Sequence, residues 1–300
     1  MVQDGAFIVT GANRGIGESV ARALAATGAT VVMACRDPGR SEKTAASIRE
    51  ESGNGDVGVM ELDLASFRSI RAFAADFGLR GARISALIHN AGVLCDRYEE
   101  TEDGFERTIQ VNYLGQFLLS SLLLPAMIDG ASRILFTSSI MYAFGRADER
   151  IFRRGAASYN RFKAYADSKL ASLLFSLELA ERLSPRGISA CSVDPGIVDT
   201  DILKMHNRID PLTDLFFRPF IRTKEQGAQP IALLAMDGAA RGAFAGAARG
   251  ASDAAGRGAD GEYFVRCRER ALCRRVRRHR FRKELWERTE RLLGLAEALG

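Results

Sequence analysis

The sequence predicts a single α/β domain built on a doubly wound parallel sheet flanked by helices, and three observations support this prediction. Short apolar runs typical of buried strands alternate with amphipathic stretches typical of helices. A glycine-rich segment, Thr10–Gly17, joins the first strand to the first helix. Polar residues directly follow several strands, at the edge where such sheets bind ligands. The predicted strands are Ala6–Thr10, Thr30–Cys35, Val57–Leu62, Ala86–His89, Arg133–Thr137, Ile188–Asp194 and Glu262–Val265.

Composition supports one globular protein and argues against several functional classes. Of the 300 residues, 47% are hydrophobic and 26% are charged, which is ordinary for a globular domain. The five cysteines are scattered and only three histidines are present, so the sequence predicts no metal site and a reducing compartment. No run reaches the roughly 20 apolar residues of a membrane span, and no signal peptide is visible. We therefore expect a cytoplasmic protein.

Within this domain (1–300), the chain divides by composition and motif. Residues up to about 140 are expected to bind a cofactor, and residues from about 139 to 236 to carry catalysis and substrate contacts. The Ala/Gly/Arg-rich stretch 238–261 has few large apolar residues, which predicts a mobile insert. A basic C-terminal extension, 266–300, follows. Its arginines are expected to be solvated, and its leucines and Trp286 predict a helix that docks by its apolar side.

The glycine-rich segment has the arrangement of a Rossmann-type dinucleotide site. Strand, glycine turn and helix together place a pyrophosphate at a helix N-terminus. The spacing is G-x-x-x-G-x-G, which differs from the general G-x-G-x-x-G fingerprint. Taken alone, it is also consistent with a plain connection between a strand and a helix.

The residues after the second strand bear on the choice between NADP(H) and NAD(H). An arginine there suits a 2′-phosphate, whereas an acidic residue bonds a ribose hydroxyl. Arg36 is followed by Asp37, which leaves that position ambiguous. Arg14 in the glycine turn adds a second cation near the same phosphate. The balance predicts NADP(H), with NAD(H) as the alternative.

Tyr165 and Lys169 stand four residues apart in a run with helical apolar spacing, so they share one helix face. A neighbouring ammonium favours the phenolate and is expected to lower the pKa of the tyrosine toward neutral pH. A lone Y-x-x-x-K pattern is equally consistent with a helix that has one polar face.

The order and spacing of these motifs give the chain its family resemblance. It resembles a classical short-chain dehydrogenase/reductase from Ala6 to about Met236. Several stretches, among them Leu87–Val93 and Val111–Phe117, are similar to the retinol dehydrogenase-like branch. The motifs run in the order Thr10–Gly17, Asp63-Leu64, Asn90-Ala91-Gly92, Asn112, Ser139, Tyr165-x-x-x-Lys169 and Pro195-Gly196.

The resemblance implies a role for each matching residue. Tyr165 would be the proton donor or base, Ser139 would hydrogen-bond the substrate oxygen, and Lys169 would hold the nicotinamide ribose. Asn112 would help to hold a water that links Lys169 to solvent. The implied cofactor-binding residues are Gly11, Asn13, Arg14, Gly15, Ile16, Gly17, Arg36, Asp63, Leu64, Asn90, Ala91, Gly92, Tyr165, Lys169, Pro195, Gly196, Val198 and Thr200.

Two residues depart from the family pattern. His89 replaces a frequent asparagine and is expected to pack structurally. Asp194 stands where asparagine or histidine is often found, and the sequence assigns it no chemical role.

The resemblance also guides expectations about substrate and partners. The apolar stretch 201–220 is expected to cap the substrate, which favours a lipophilic carbonyl or alcohol such as a retinoid-like compound. Nucleic acid is not expected, because no aromatic stacking platform accompanies the basic C-terminal extension. Weak membrane-surface contact and a homo-oligomer are left open. Membrane residence and retinoid metabolism are in doubt, since no N-terminal anchor precedes the first strand.

The sequence therefore predicts an NADP(H)-dependent oxidoreductase that interconverts a lipophilic aldehyde or ketone and its alcohol, with Tyr165 as acid/base. The alternative is a non-catalytic NADPH-binding sensor or partner protein on the same fold. Pigment reduction, light-driven or otherwise, on a related frame is a third hypothesis, because it reuses the Tyr/Lys pair.

Overall fold

The protein was analysed as a computed structural model, which describes residues 5–196, 198, 222–236, 262–265, 268–272, 276 and 279–295. Thr200, the predicted substrate-capping stretch 201–220 and the predicted insert 238–261 lie outside the described residues. No helix within the described ranges has the length and apolar character needed to cross a membrane.

One eight-stranded sheet forms the centre of the described structure, which confirms the predicted doubly wound α/β fold. The strands lie side by side in the order β3-β2-β1-β4-β5-β6-β7-β8, and only the β7–β8 pairing is antiparallel. The strands are Ala6–Thr10 (β1), Val31–Cys35 (β2), Val57–Glu61 (β3), Ile84–His89 (β4), Arg133–Thr137 (β5), Ser189–Asp194 (β6), Glu262–Val265 (β7) and Arg268–Glu269 (β8).

Helices cover both faces of this sheet, and capping residues fix where several of them begin. Asp37 accepts a hydrogen bond from Arg40 N at the start of the second helix, and Asn160 accepts one from Lys163 N at the start of the longest helix. The helices are Gly15–Ala25 (α1), Pro38–Ser52 (α2), Phe67–Leu79 (α3), Arg107–Ile109 (α4), Gly115–Leu123 (α5), Arg161–Leu183 (α6), Lys224–Met236 (α7) and His279–Leu293 (α8).

Alternation of side chains along the central strands divides the core into two layers. In β1, Phe7 and Val9 join the cluster beneath α1, α2 and α7, whereas Ala6 and Ile8 join the cluster beneath α3, α5, α6 and α8. All five residues of β1 are buried, as expected for a central parallel strand. The two clusters pack the two faces of the sheet against the helical layers that cover them.

The sequence from Phe105 to Leu123 predicts one long helix, but in the structure this helix is interrupted. Glu106 caps it by accepting hydrogen bonds from Thr108 N and Ile109 N, so the helix begins only at Arg107. A π-helical turn, Gln110–Leu114, then separates α4 from α5. The next residue, Gly115, packs tightly against the backbone of Leu64, because a Cβ on it would lie 2.6 Å from Leu64 O. Single π-helical turns are rare and concentrate at functional sites.

The C-terminal helix α8 docks by its apolar side, as the sequence predicts. Trp286 is 1% exposed and its ring centroid lies 4.7 Å from that of Phe117. Arg282 departs from the solvated arrangement expected of the C-terminal arginines. Its side chain is only 13% exposed and forms an ion pair with Glu181 at 2.8 Å. Among the described residues, this arginine therefore helps to attach α8 to α6.

His89 lies in the core, which confirms its predicted structural role. It is fully buried, its Nε2 lies 2.7 Å from Ser120 Oγ, and its ring stacks on Phe136 with centroids 4.7 Å apart. Burial disfavours the charged imidazolium and lowers the pKa of His89 to about 3. The folded protein therefore holds this imidazole neutral well below pH 6.5.

We predict that His89 makes the protein acid-sensitive. Between about pH 3 and 6.5 the unfolded chain binds a proton at His89 that the folded chain does not bind, so stability falls as pH falls through this window. His89→Asn should reduce the slope of the unfolding free energy by up to about 1.4 kcal/mol per pH unit. Urea denaturation from pH 7 to pH 4 measures this, and identical slopes in the two proteins would contradict the prediction.

Candidate active site

The turn between β1 and α1 has the geometry of a phosphate cradle. Gly11 and Gly15 adopt positive φ angles of 66° and 64°, a backbone conformation that residues other than glycine rarely adopt. A Cβ on Gly17 would lie 2.4 Å from both Gly11 O and Asn90 Nδ2, so only glycine fits there. Arg14 is the N-cap residue of α1 and is exposed. The open helix N-terminus fits a dinucleotide pyrophosphate.

Asn90 stabilises this turn from the end of β4. Its backbone N–H donates to Thr10 Oγ1, and its side-chain amide donates to Thr10 O, both at 3.0 Å. Ala91 N also donates to Thr10 Oγ1 at 3.0 Å. The sequence predicts direct cofactor contact for Asn90, whereas its described hydrogen bonds are to backbone and hydroxyl groups of the turn.

The predicted ribose and adenine positions lie at the neighbouring strand ends. Arg36 is exposed directly after β2. Asp37 caps α2 through its Oδ1 atom, which accepts from Arg40 N at 3.0 Å. Asp63 accepts a hydrogen bond from Ala65 N after β3, and the adjacent Leu64 is 4% exposed. The carboxylate next to Arg36 thus already has a structural partner.

All of the described candidate residues lie at the carboxyl ends of strands or on the elements that follow them. The remaining members of the turn also lie where predicted, with Asn13 O accepting from Thr44 Oγ1 at 3.3 Å and Ile16 in the first turn of α1. The last group follows β6, where Arg222 Nη1 donates to Pro195 O at 3.0 Å. Gly196 has a φ of 84°, and Val198 forms an isolated parallel bridge with Arg222.

Ser139 and Tyr165 meet where β5 ends beside α6. Ser139 caps a 3₁₀ segment, Ile140–Phe144, and its Oγ accepts from Met141 N at 3.3 Å. The Ser139 hydroxyl lies close enough to the phenol of Tyr165 to lower the pKa of that phenol. The tyrosine is 9% exposed, so the pair forms a largely enclosed polar site.

Lys169 lies beside this pair and is almost completely buried. Its Nζ donates to Thr137 O at 2.8 Å and lies 5.6 Å from the ring centroid of Tyr165. A Cβ on Gly92 would lie 3.5 Å from the same Nζ, which places the lysine next to the turn after β4. Tyr165 and Lys169 therefore share a face, as their spacing predicts.

Asn112 occupies the π-helical turn and joins three elements. Its Nδ2 donates to Val93 O and to Ser168 Oγ, both at 2.9 Å, and its Oδ1 accepts from Val93 N at 2.8 Å. Ser168 Oγ donates in turn to Tyr165 O at 2.8 Å. The side chain of Asn112 is thus used to hold the loop after β4 against α6.

The electrostatics of the pair differ from the sequence-based expectation. Burial raises the pKa of Tyr165 to about 12, although the hydrogen bond to Ser139 lowers it and the charge of Asp194 raises it further. Burial also lowers the pKa of Lys169 to about 8, against an opposing effect of Asp194. The expectation that the pKa of Tyr165 falls toward neutral pH is wrong for the protein alone, because loss of solvation disfavours the phenolate.

Two acidic residues near the site were given no role by sequence reasoning. Asp194 is 5% exposed, with Tyr263 Oη donating to its Oδ2 at 3.1 Å. Asp167 lies inside the Tyr165–Lys169 motif and forms a buried ion pair with Arg154. The sequence marks Asp194 as a departure from the family pattern without indicating its burial or its partners, whereas nothing in the sequence pairs Asp167 with Arg154.

Apolar side chains are exposed at the rim of the site. Ile140 and Phe144, just after Ser139, are 67% and 74% exposed, and Phe162, one helical turn before Tyr165, is 45% exposed. The 3₁₀ segment ends against α6, since a Cβ on Gly145 would lie 2.3 Å from Ala166 O. These three side chains (Ile140, Phe144 and Phe162) are called the apolar rim below.

Comparison with known proteins identifies the family. The family model for short chain dehydrogenase matches residues 6–210. Retinol dehydrogenase 12 of Homo sapiens is 36% identical over 289 residues, which cover 96% of this chain and 86% of that relative. Retinol dehydrogenase 11 of Mus musculus is 45% identical over 223 residues, which cover 74% of this chain and 70% of the relative.

Solved structures of similar proteins share the fold. An uncharacterized protein from Mycobacterium Paratuberculosis is 32% identical with a TM-score of 0.72, covering 98% of this chain and 94% of its own. A short chain dehydrogenase from Burkholderia cenocepacia, solved in complex with NADP, is 25% identical with a TM-score of 0.62, covering 78% of this chain and 91% of its own. The chain therefore belongs to the short-chain dehydrogenase family of oxidoreductases and is retinol dehydrogenase-like.

Proposed function

We propose that this protein is an NADP(H)-dependent oxidoreductase that interconverts a lipophilic aldehyde or ketone and its alcohol. The observation that carries the proposal is the enclosed cluster of Ser139, Tyr165 and Lys169 beside the glycine turn. It combines a proton donor, a hydroxyl that can bond the substrate oxygen and a cation within one site. Such a combination supports proton transfer coupled to hydride transfer.

Each residue of the cluster has a separate role in carbonyl reduction. The glycine turn before α1 would hold NADPH, which would supply the hydride for the carbonyl carbon. Ser139 donates a hydrogen bond to the carbonyl oxygen and stabilises its developing negative charge. Tyr165 transfers its phenolic proton to that oxygen, and the reverse transfer serves alcohol oxidation. Lys169, charged near neutral pH, stabilises the phenolate that remains.

The residues at the end of β2 support NADP(H) over NAD(H). Arg36 is exposed there and Arg14 is exposed at the start of α1, and a guanidinium is the side chain best suited to bind a 2′-phosphate. Asp37 would favour NAD(H) only if its carboxylate accepted from a ribose hydroxyl. In the protein, one oxygen of that carboxylate already caps α2.

The apolar rim supports a lipophilic substrate. Exposed Ile140, Phe144 and Phe162 offer contact to an alkyl or polyene chain whose carbonyl reaches Tyr165. The names of the relatives agree, since several are retinol dehydrogenases. A retinoid-like aldehyde or a long-chain aldehyde is therefore the proposed substrate class.

Replacing the phenol tests the catalytic assignment. We predict that Tyr165→Phe lowers kcat for aldehyde reduction by about 10²- to 10⁴-fold, because it removes the acid/base group. The dissociation constant of NADPH, measured by fluorescence titration, should change little. Tyr98→Phe is the control, since its hydroxyl bonds the nearby Glu100. Full turnover by the Tyr165→Phe protein would contradict the mechanism, and absence of turnover by the wild type on a broad carbonyl panel would favour a non-catalytic sensor.

Cofactor choice is tested by removing the proposed phosphate contact. Arg36→Ala should weaken NADPH binding by roughly 10- to 100-fold, since a hydrogen bond to a charged group contributes about 1.5–3 kcal/mol. NADH binding should be unaffected. Arg80→Ala is a matched control, because Arg80 is an exposed arginine at the C-terminus of α3, at the opposite end of the sheet. Equal weakening of both cofactors, or of neither, would exclude Arg36 as the discriminating residue.

Removing an apolar side chain from the rim tests the proposed substrate class. Phe144→Ser should raise KM for a long-chain aldehyde about three- to tenfold, because the lost apolar contact is part of the roughly 1.5–3 kcal/mol of a buried side chain. KM for a short aldehyde should stay constant. Leu79→Ser, at an 87% exposed position on α3, controls for the loss of a surface hydrophobe. A parallel change in KM for both aldehydes would show that the rim does not contact the chain of the substrate.

A further inference from the structure

Asp194 is a buried acid at the last position of β6, and both of its oxygens have defined partners. Its side chain is 5% exposed. Oδ1 accepts from Gly196 N at 2.8 Å, across the turn that begins with Pro195. Oδ2 accepts from Tyr263 Oη at 3.1 Å, and Tyr263 lies on the neighbouring strand β7. The carboxylate is therefore fixed in position from two sides.

Strand alternation directs this carboxylate toward the catalytic helix. Ser192, two residues earlier, lies on the α6 side of the sheet, because its Oγ is 2.7 Å from Ser176 Oγ. Asp194 emerges on the same side, about 6.6 Å further along β6. Lys169 precedes Ser176 by seven residues, about 10.5 Å along a helix that packs against β6. The carboxylate and the ammonium thus lie toward the same end of the site.

The charge of Asp194 acts on both members of the catalytic pair. It raises the pKa of Lys169, opposing the loss of solvation, and it raises the pKa of Tyr165. Both effects oppose loss of a proton from the pair. Without Asp194, the buried ammonium of Lys169 would have the Thr137 carbonyl as its one polar contact among the described residues.

Among the described residues, the other ionisable groups near the site make contacts of their own. Asp167, on α6 itself, is paired with Arg154. Tyr142 packs edge-on against Tyr263, with ring centroids 5.3 Å apart. Arg222 donates to the carbonyl of Pro195 on the far side of the turn.

We propose that Asp194 is a positioning residue for the reaction: one of its oxygens holds the Pro195–Gly196 turn, and its buried carboxylate, on the α6 side of the sheet, is the counter-charge of the Lys169 ammonium. Tyr263 donates a hydrogen bond to the other oxygen, so the turn and the neighbouring strand hold the two oxygens from opposite sides. The inference rests on the proposed function for its catalytic meaning. The electrostatic effect itself is a property of the protein alone and is measurable without substrate.

The first test is an NMR titration of the full chain labelled with ¹³Cε-lysine, with the Lys169 signal assigned by its loss in Lys169→Arg. In the wild type this signal should titrate near pH 8. In Asp194→Asn, which retains an oxygen for Gly196 N, the midpoint should fall by roughly one unit or more. Asp194→Ser, which is also neutral, repeats the measurement should the asparagine protein fail to fold.

Two controls separate charge from packing. Asp129→Asn removes a 65% exposed carboxylate before β5, at the opposite end of the sheet, and should leave the Lys169 midpoint unchanged. Tyr263→Phe removes the hydroxyl but keeps the charge of Asp194, so the midpoint should remain close to that of the wild type. A shift in Tyr263→Phe as large as that in Asp194→Asn would reassign the effect to packing and overturn the proposal.

The second test is the pH profile of kcat/KM for NADPH-dependent aldehyde reduction. The alkaline limb should move to lower pH in Asp194→Asn, because the pair loses its proton more easily. An unchanged Lys169 midpoint in Asp194→Asn, or an active enzyme whose alkaline limb does not move, would overturn the inference. A wild type that shows the Lys169 shift but turns over no carbonyl would instead refute the proposed function.

Discussion

The site depends on keeping a lysine ammonium charged where almost no water reaches it. Lys169 is 4% exposed and lies at the edge of a core built largely of aliphatic and aromatic side chains. Removing an ion from water is costly unless hydrogen bonds and an opposite charge replace the lost solvation. Here the carbonyl of Thr137 accepts from the ammonium, and Asp194 supplies the opposite charge.

Meeting this requirement brings three strands and one helix to the same point. Thr137 ends β5, Asp194 ends β6, Tyr263 lies on β7, and Lys169 lies on α6. Parallel strands end at a common edge, so each contributes a polar group there without burying one in the sheet. The glycine turn lies at the same edge, because Asn90 at the end of β4 bonds it directly. The glycine turn and the Tyr165–Lys169 pair are therefore positioned by one sheet.

The sequence predicted the parts of this arrangement that follow from periodicity and spacing. Alternating strands and helices, the glycine turn and the shared face of Tyr165 and Lys169 were all predicted correctly. The π-helical turn at Asn112 was not, since a single extra residue in a helix leaves little trace in an apolar pattern. The direction of the Tyr165 pKa was also wrong, because it depends on the depth of burial, which neighbouring residues in sequence do not determine.

The intervening residues of the Tyr165–Lys169 motif show what else the sequence could not reveal. Spacing predicts the two ends of the motif, but Ser168 hydrogen-bonds Asn112, and Asp167 accepts from Arg146 N at 2.7 Å. The hydrogen bond from Arg146 and the buried ion pair with Arg154 together attach the long segment after Ser139 to Asp167 on α6.

Removing one partner of a buried ion pair typically costs about 3–5 kcal/mol, so this attachment is a strong constraint on the segment. Ser139 begins that segment, and Tyr165 begins the helical turn onto which it is held. The distance between the two hydroxyls therefore depends on Asp167 as well as on the strands. The middle residues of this short motif therefore hold the neighbouring segments in place around its two ends.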